Sequence, residues 1–176
     1  NETEAELKTC GAVYEKLPED ELINNVASAL AEEKAVGWMQ CRMKFGPRAL
    51  GGRSIIADPR SNFMQKQLNL KVKYRESFRP FAPSILREDV NEWFEHDTDS
   101  SYMLLVAYVQ KDKRLVMTSE EETLFGIDKL NVPRSSVPAI THVDYPALIQ
   151  TVHADTNPRY HAVISNFKER TGFPLV

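Results

Sequence analysis

The sequence predicts an α/β domain in which helices flank a mixed sheet. Three observations carry that expectation. Apolar residues recur at helical spacing in Pro18 to Lys34 (Leu22, Ile23, Val26, Ala29, Leu30) and again in Tyr160, Val163, Ile164 and Phe167. Between these stripes lie apolar runs too short for helices, such as Ala35 to Cys41 and Tyr102 to Val109. Strands and helices interleave without a repeating βαβ rhythm, which favours a mixed sheet over a wholly parallel one.

Taken in order, residues 1–17 are polar and develop no packing period, so they read as a linker. Pro18 falls near the first turn of the first helix, where its missing N–H costs nothing. Asn62 to Val72 carries Phe63, Met64, Gln67, Leu68 and Val72 on a second helical stripe. Pro80 and Pro83 force Phe78 to Pro83 into an extended or turning path. Arg87 to Glu95 reads as a short helix and Tyr102 to Val109 as a strand with Met103 to Val106 in the core. Ala139 to Val143 and Ala147 to Val152 are strand candidates separated by Asp144-Tyr145-Pro146. Asn157-Pro158 opens the last helix with a capping residue and a first-turn proline, and Gly172 suits its end.

A chain of 176 residues buries enough surface to fold as one domain without disulfides or metal. No apolar run approaches the roughly 20 residues that span a bilayer. Cys10 and Cys41 are far apart and offer neither a disulfide framework nor a metal pair, which points to a reducing, cytoplasmic setting. His96, His142, His153 and His161 lack the spacing of a helical zinc motif. No nucleophile with an adjacent base stands out, and no Gly-rich phosphate loop of the Walker or dinucleotide type is present. The acidic clusters at Asp97, Asp99 and Glu120 to Glu122 read as solvated surface.

The net charge of −3 conceals an asymmetry. Ten basic residues lie between Arg42 and Arg79, opposed only by Asp58 and Glu76, so this segment carries +8. An anionic partner follows, whether a nucleotide, a small phosphate or a nucleic acid. Within it, Gly46-Pro47 predicts a tight turn after a strand ending near Cys41, with Pro47 in the first turn of a helix. Outward backbone N–H groups there would favour an anion, and Arg48 stands beside them. The alternative is a surface turn with ion-paired arginines. In the second basic run, Lys71, Lys73 and Arg75 alternate, so an extended chain would present them on one face. Arg79 stands in an aromatic frame of Phe78 and Phe81. An edge strand protected by lysines is the competing reading.

Gly37-Trp38, Arg42, Phe45-Gly46-Pro47-Arg48-Ala49-Leu50-Gly51, Arg53-Ser54-Ile55, Ala57-Asp58-Pro59-Arg60, Lys73 and Phe78-Arg79-Pro80-Phe81-Ala82-Pro83 together resemble the C-terminal domain of the O-carbamoyltransferase family. That family modifies nodulation factors and antibiotics. The likeness resumes at Ala139-Ile140-Thr141-His142-Val143-Asp144, Gln150-Thr151-Val152, Asn157-Pro158-Arg159-Tyr160 and Thr171-Gly172-Phe173-Pro174.

The resemblance implies a YrdC-like fold and a single domain over residues 1–176, excised from a larger protein. It implies binding of ATP, with Mg2+, and of carbamoyl phosphate, and formation of carbamoyladenylate. A separate N-terminal metal-containing domain would then receive the carbamoyl group and pass it to a hydroxyl acceptor. Arg48, Lys73 and Arg79 would be the principal anion and nucleotide ligands; Arg53, Arg75, His142 and Arg159 complete the candidate set. No protein-ligated metal is implied in this domain, and no membrane partner. Two departures stand out. Cys41 and Lys44 occupy positions where the family commonly has Gly and Glu, and Leu148 occupies that of a ligand arginine. The chain also ends before the family's final Leu-Asn-Thr-Ser-Phe-Asn segment. Two other functions compete with this one: an RNA- or nucleotide-binding module, and a diverged scaffold of the same fold that has lost its ligand.

Overall fold

The computed structural model describes residues 2–41 and 46–176. Arg42, Lys44 and Phe45, which belong to the basic segment and to the family motif, lie outside the described residues. Twelve regular elements are described: helices α1 (Glu2–Thr9), α2 (Glu19–Ala31), α3 (Met64–Leu68), α4 (Val90–Trp93), α5 (Ser119–Thr123), α6 (Gly126–Leu130) and α7 (Pro158–Thr171), with strands β1 (Val36–Met39), β2 (Arg53–Ile56), β3 (Ser84–Leu86), β4 (Leu105–Tyr108) and β5 (Pro146–Val152).

The α/β expectation holds, and the sheet is mixed. β5 runs parallel to β3 and antiparallel to β4, giving the order β3-β5-β4. β1 and β2 form a separate antiparallel pair. The chain's last residues return along the free side of β3: Ser84 and Val176 exchange N–H···O bonds of 2.9 and 3.0 Å, and Leu86 N–H donates to Pro174 at 3.0 Å.

Alternation along the central sheet divides the interior in two. On one face, Leu86 and Val152 are ladder partners and join the core built by α2 and α7, where Leu30, Val163, Ile164 and Phe167 are fully buried. Burial of such side chains contributes about 1.5–3 kcal/mol each, which makes α2 against α7 a main source of stability. On the opposite face, Ile85, Ala147 and Ile149 pack with Val90, Trp93, Phe94 and Val109 in a second core.

The two long helices form as their stripes predict. Asn157 precedes α7 with Pro158 in its first turn, and Gly172 ends it at φ +80°. Pro18 caps α2 as expected. Other expectations are overturned. Residues 2–9 of the supposed linker form α1, which buries nothing. Ala139 to Val143 is a turn, because Phe81 and Ala139 bond only once and no partner strand lies alongside. Met103 to Val106 is not core: β4 is an edge strand, and Leu104 and Val106 are 74% and 61% exposed. Gly46-Pro47 does not open a helix; bends and turns lead directly into β2. Lys71 and Lys73 lie in a turn of π-helix over Asn69–Lys73, not in an extended run.

One close approach fixes the turn before β2. Gly51 has φ +78°, and a Cβ there would sit 2.5 Å from Cδ1 of Tyr160, a side chain buried to 1% and stacked on Trp38. Both the backbone conformation and the contact exclude a side chain. Gly51→Ala is expected to destabilise the fold by about 1–3 kcal/mol in urea denaturation. A loss below about 0.5 kcal/mol, the range of ordinary surface changes, would show that Tyr160 yields without cost.

Candidate functional site

A cavity of about 560 Å³ opens where the sheet face leaves the α2–α7 core. The same period-two face that supplies Leu86 and Val152 to the core supplies Ser84, Leu148 and Gln150 to the cavity floor. Ser84 donates to Gln150 Oε1 at 3.0 Å, and both side chains are buried. Tyr160 closes the boundary with the core, and burial pushes its hydroxyl pKa up to about 12, against a smaller opposing effect of Ser84. This floor is polar but uncharged.

The walls carry the charge. Arg48 and Arg53 arrive from the turn and strand after Gly46, and Lys73, Arg75 and Arg79 from the segment after the π-helical turn. Two stretches separated by α3 thus converge on one concavity. Arg48, Arg53 and Lys73 have no ion-pair partner among the described residues. Arg79 and Glu76 approach only to 3.9 Å, with both side chains about 60% exposed. Such a pair is worth little.

Asp58 is the single carboxylate among the lining residues, and it is spent on Arg60. Arg60 Nε lies 2.9 and 3.0 Å from its two oxygens, and Nη2 2.5 Å from Oδ2. Arg60 is itself held over the rings of Phe167 and Phe173 at 5.5 and 5.4 Å. Hydrogen bonding to Asp58 raises its guanidinium pKa. The cavity is therefore left with uncompensated positive charge.

Asn69, which the sequence reading passed over, organises the second basic run. Its side chain is fully buried. Its Oδ1 accepts from Arg75 Nε at 2.6 Å, while its Nδ2 donates to the carbonyls of Ser77 and Arg79 at 3.0 and 2.8 Å. Its own carbonyl accepts from Arg75 N–H at 3.0 Å. The chain reverses here through Tyr74 in the left-handed region, φ +49°. Leu50 and Met103, which line the cavity, also have positive φ. Non-glycine residues in that region cost on the order of 1–3 kcal/mol and persist where the surroundings impose them.

It is Arg75, not Arg79, that the aromatic frame holds: its guanidinium lies 5.0 Å from the Phe81 ring centroid. Burial first, and then Arg79, lower the Arg75 pKa. His142 stands at the cavity wall, where partial desolvation lowers its imidazole pKa. Arg159 does not line the cavity. Its guanidinium grips Glu19 with two bonds of 2.6 Å, tying the start of α7 to the start of α2. Leu148, at the position of the family's ligand arginine, does line it and makes that wall apolar. Among the described residues, no three His, Cys, Asp or Glu side chains gather as a metal site. No helix described is long and apolar enough to cross a membrane.

Residues 27–176 match the carbamoyltransferase C-terminus family. The chain belongs to that family. An uncharacterized protein of Synechocystis sp., sll1178, is 59% identical over 160 residues, covering 91% of this chain and 26% of that protein. Nodulation protein NolO of Bradyrhizobium diazoefficiens is 39% identical, covering 99% and 29%. The 3'-hydroxymethylcephem-O-carbamoyltransferase of Streptomyces clavuligerus is 35% identical, covering 94% and 27%. The chain thus spans between a quarter and three-tenths of the length of these relatives. Family membership accounts for the order of the motifs, and the geometry adds what they do locally: five cations from two of them face one cavity.

Asn69→Ala leaves two buried carbonyls and Arg75 Nε without partners. It is expected to cost about 1–3 kcal/mol in urea denaturation and to weaken sulfate binding measured by calorimetry. Unchanged sulfate affinity would mean the amide serves the turn alone. For His142, the depressed folded pKa means that the unfolded chain binds more protons at mildly acid pH. Stability is then fully present above the ordinary histidine pKa near 6.5 and falls as pH drops toward the folded value. Replacing His142 by Gln is expected to flatten that part of the stability–pH curve; an unaltered curve would place the titration elsewhere.

Proposed function

We propose that this domain binds ATP, with Mg2+, and carbamoyl phosphate, and forms carbamoyladenylate for transfer by another part of a longer carbamoyltransferase. The observation that carries the reading is the convergence of Arg48, Arg53, Lys73, Arg75 and Arg79 on one cavity whose only carboxylate is already paired with Arg60. Such a site attracts a compact, multiply charged anion. Guanidinium groups suit phosphate oxygens because their planar fork donates two parallel bonds. Family membership and the named carbamoyltransferase among its relatives supply the reaction class.

In this reading, water cleaves carbamoyl phosphate to carbamate and inorganic phosphate. A carbamate oxygen then attacks the α-phosphorus of ATP, and the bond to the bridging oxygen breaks to release pyrophosphate. Neither step requires a covalent intermediate on the protein. The cationic walls hold the phosphates in place and offset the charge that builds on the departing pyrophosphate. The absence of a nucleophile–base pair in the sequence is consistent with that division of labour. The enclosed arrangement of the cations also suits a small anion better than a nucleic acid, whose backbone needs a continuous exposed stripe. A cytoplasmic setting is where both substrates would be met.

The purified chain is expected to gain thermal stability with ATP or carbamoyl phosphate. At about a hundredfold excess over Kd the gain is about 2.7 kcal/mol. For a domain of this size that corresponds to roughly 5–10 °C in Tm. Arg48→Ala is expected to remove the shift while leaving the ligand-free Tm within about 2 °C, because Arg48 is exposed. No shift at millimolar ligand with the wild-type chain would favour a scaffold that has lost its ligand.

A further inference from the structure

A second cavity, of about 330 Å³, adjoins the first and shares Arg79, Pro80 and His142 with it. Its character is different. The remaining lining is largely neutral, with Phe78, Val132, Pro133, Pro138 and Val143 giving apolar surface. No carboxylate lines it. Three side-chain amides, Asn62, Gln65 and Asn131, stand around it. Gln65 is fixed because its Nε2 donates to the Phe78 carbonyl at 2.8 Å, which leaves Oε1 as an acceptor. The amides of Asn62 and Asn131 make no hydrogen bond among the described residues.

The wall formed by Leu130 to Pro133 is pinned from within. Arg134 is only 4% exposed and donates from Nη1 to the Leu130 carbonyl at 3.3 Å and from Nη2 to the Lys129 carbonyl. Its buried Nε has no partner. Placing an arginine there lowers its pKa by desolvation and makes the surroundings favour electron-rich neighbours. The cavity is thus preformed, mostly apolar, edged by groups that both donate and accept, and next to a chamber suited to phosphates. Its volume lies at the lower end of small-ligand sites, about 300–1,000 Å³.

We propose that this second cavity seats the base of a nucleotide whose phosphates occupy the first, with Arg79 and His142 at the junction. The assignment rests on the nucleotide reading of the first cavity. A neutral heteroaromatic ring has apolar faces for Phe78 and the prolines, and ring nitrogens or exocyclic groups for the amides. A triphosphate alone would leave the chamber unfilled, and a free carboxylic acid would gain no direct partner from its amide edge comparable to the cations next door.

Calorimetric titrations of the chain with ATP, inorganic tripolyphosphate and adenosine separate the two readings. ATP is expected to bind about tenfold tighter than tripolyphosphate, a difference that the base and sugar must supply. Val132→Trp, which fills the second cavity, is expected to bring ATP down to the tripolyphosphate affinity while leaving tripolyphosphate within about twofold of wild type. Equal wild-type affinities for ATP and tripolyphosphate overturn the base assignment and leave the phosphate site standing. Binding of neither overturns both. If Val132→Trp weakens both ligands alike, the cavity has no base-specific role. Should that variant fail to fold by circular dichroism, Asn131→Ala replaces it, with the ATP advantage again expected to shrink and its persistence counting against the assignment.

Discussion

Arg75 and Arg79 repel one another, and the rest of the site depends on how the fold keeps them together. Their mutual effect is visible in the lowered pKa of Arg75, where the charge of Arg79 adds to desolvation. Concentrating cations without acids costs free energy, so each must be held by something uncharged. Asn69 does this for the pair. One buried amide accepts from the Arg75 guanidinium and ties down the carbonyls of Ser77 and Arg79. An aspartate at this place would accept equally well and would partly neutralise the charge. A neutral amide keeps the charge available to a ligand. Phe81 works in the same direction, since an aromatic face steadies a guanidinium without cancelling it.

The treatment of Asp58 follows the same logic from the other side. This carboxylate faces the cavity and would compete with any anionic ligand for the arginines. Arg60 occupies it with three short contacts, and Arg60 in turn rests on Phe167 and Phe173, which are part of the core and its border. The electrostatics of the cavity are therefore anchored in the packing of α7. A loosened α2–α7 core would free Arg60 and, with it, Asp58.

How much of this was legible in the sequence depends on the range of the interactions. The α7 stripe, with Asn157, Pro158 and Gly172 at its ends, is local chemistry and reads directly. Arg48, Lys73 and Arg79 could be chosen because a basic surplus and two dense motifs surround them, and they do line one cavity. Arg159 sits in a matching motif too, but its placement is decided by Glu19, 140 positions away, which no local pattern announces. Lys71, Lys73 and Arg75 alternate as a strand would, yet Asn69 has a buried role that only the π-helical turn allows, and the turn wins. Asn69 could have drawn notice as a polar residue on an otherwise apolar stripe with Met64 and Leu68. Met103 to Val106 looked like core because composition cannot distinguish a central strand from an edge strand whose outer face is open.

Edge position also bears on what the cavity can take. Val106 pairs with Leu148 in the β4–β5 ladder, so the two share a face, and Leu148 lines the cavity. Leu148, with Val106 beside it, gives the sheet side an apolar wall opposite the arginines, whereas a family-pattern arginine at Leu148 would have closed the ring of charge. The chamber is thus polarised, with cations on one side and hydrocarbon on the other. Ions held by a complete ring of charge are bound for their charge alone. A polarised chamber instead favours a molecule that carries phosphate at one end and something less hydrated at the other, because each end is desolvated only where a partner compensates for it. On that argument Leu148 shifts selectivity away from free inorganic anions and toward larger phosphorylated ligands, rather than simply removing a contact.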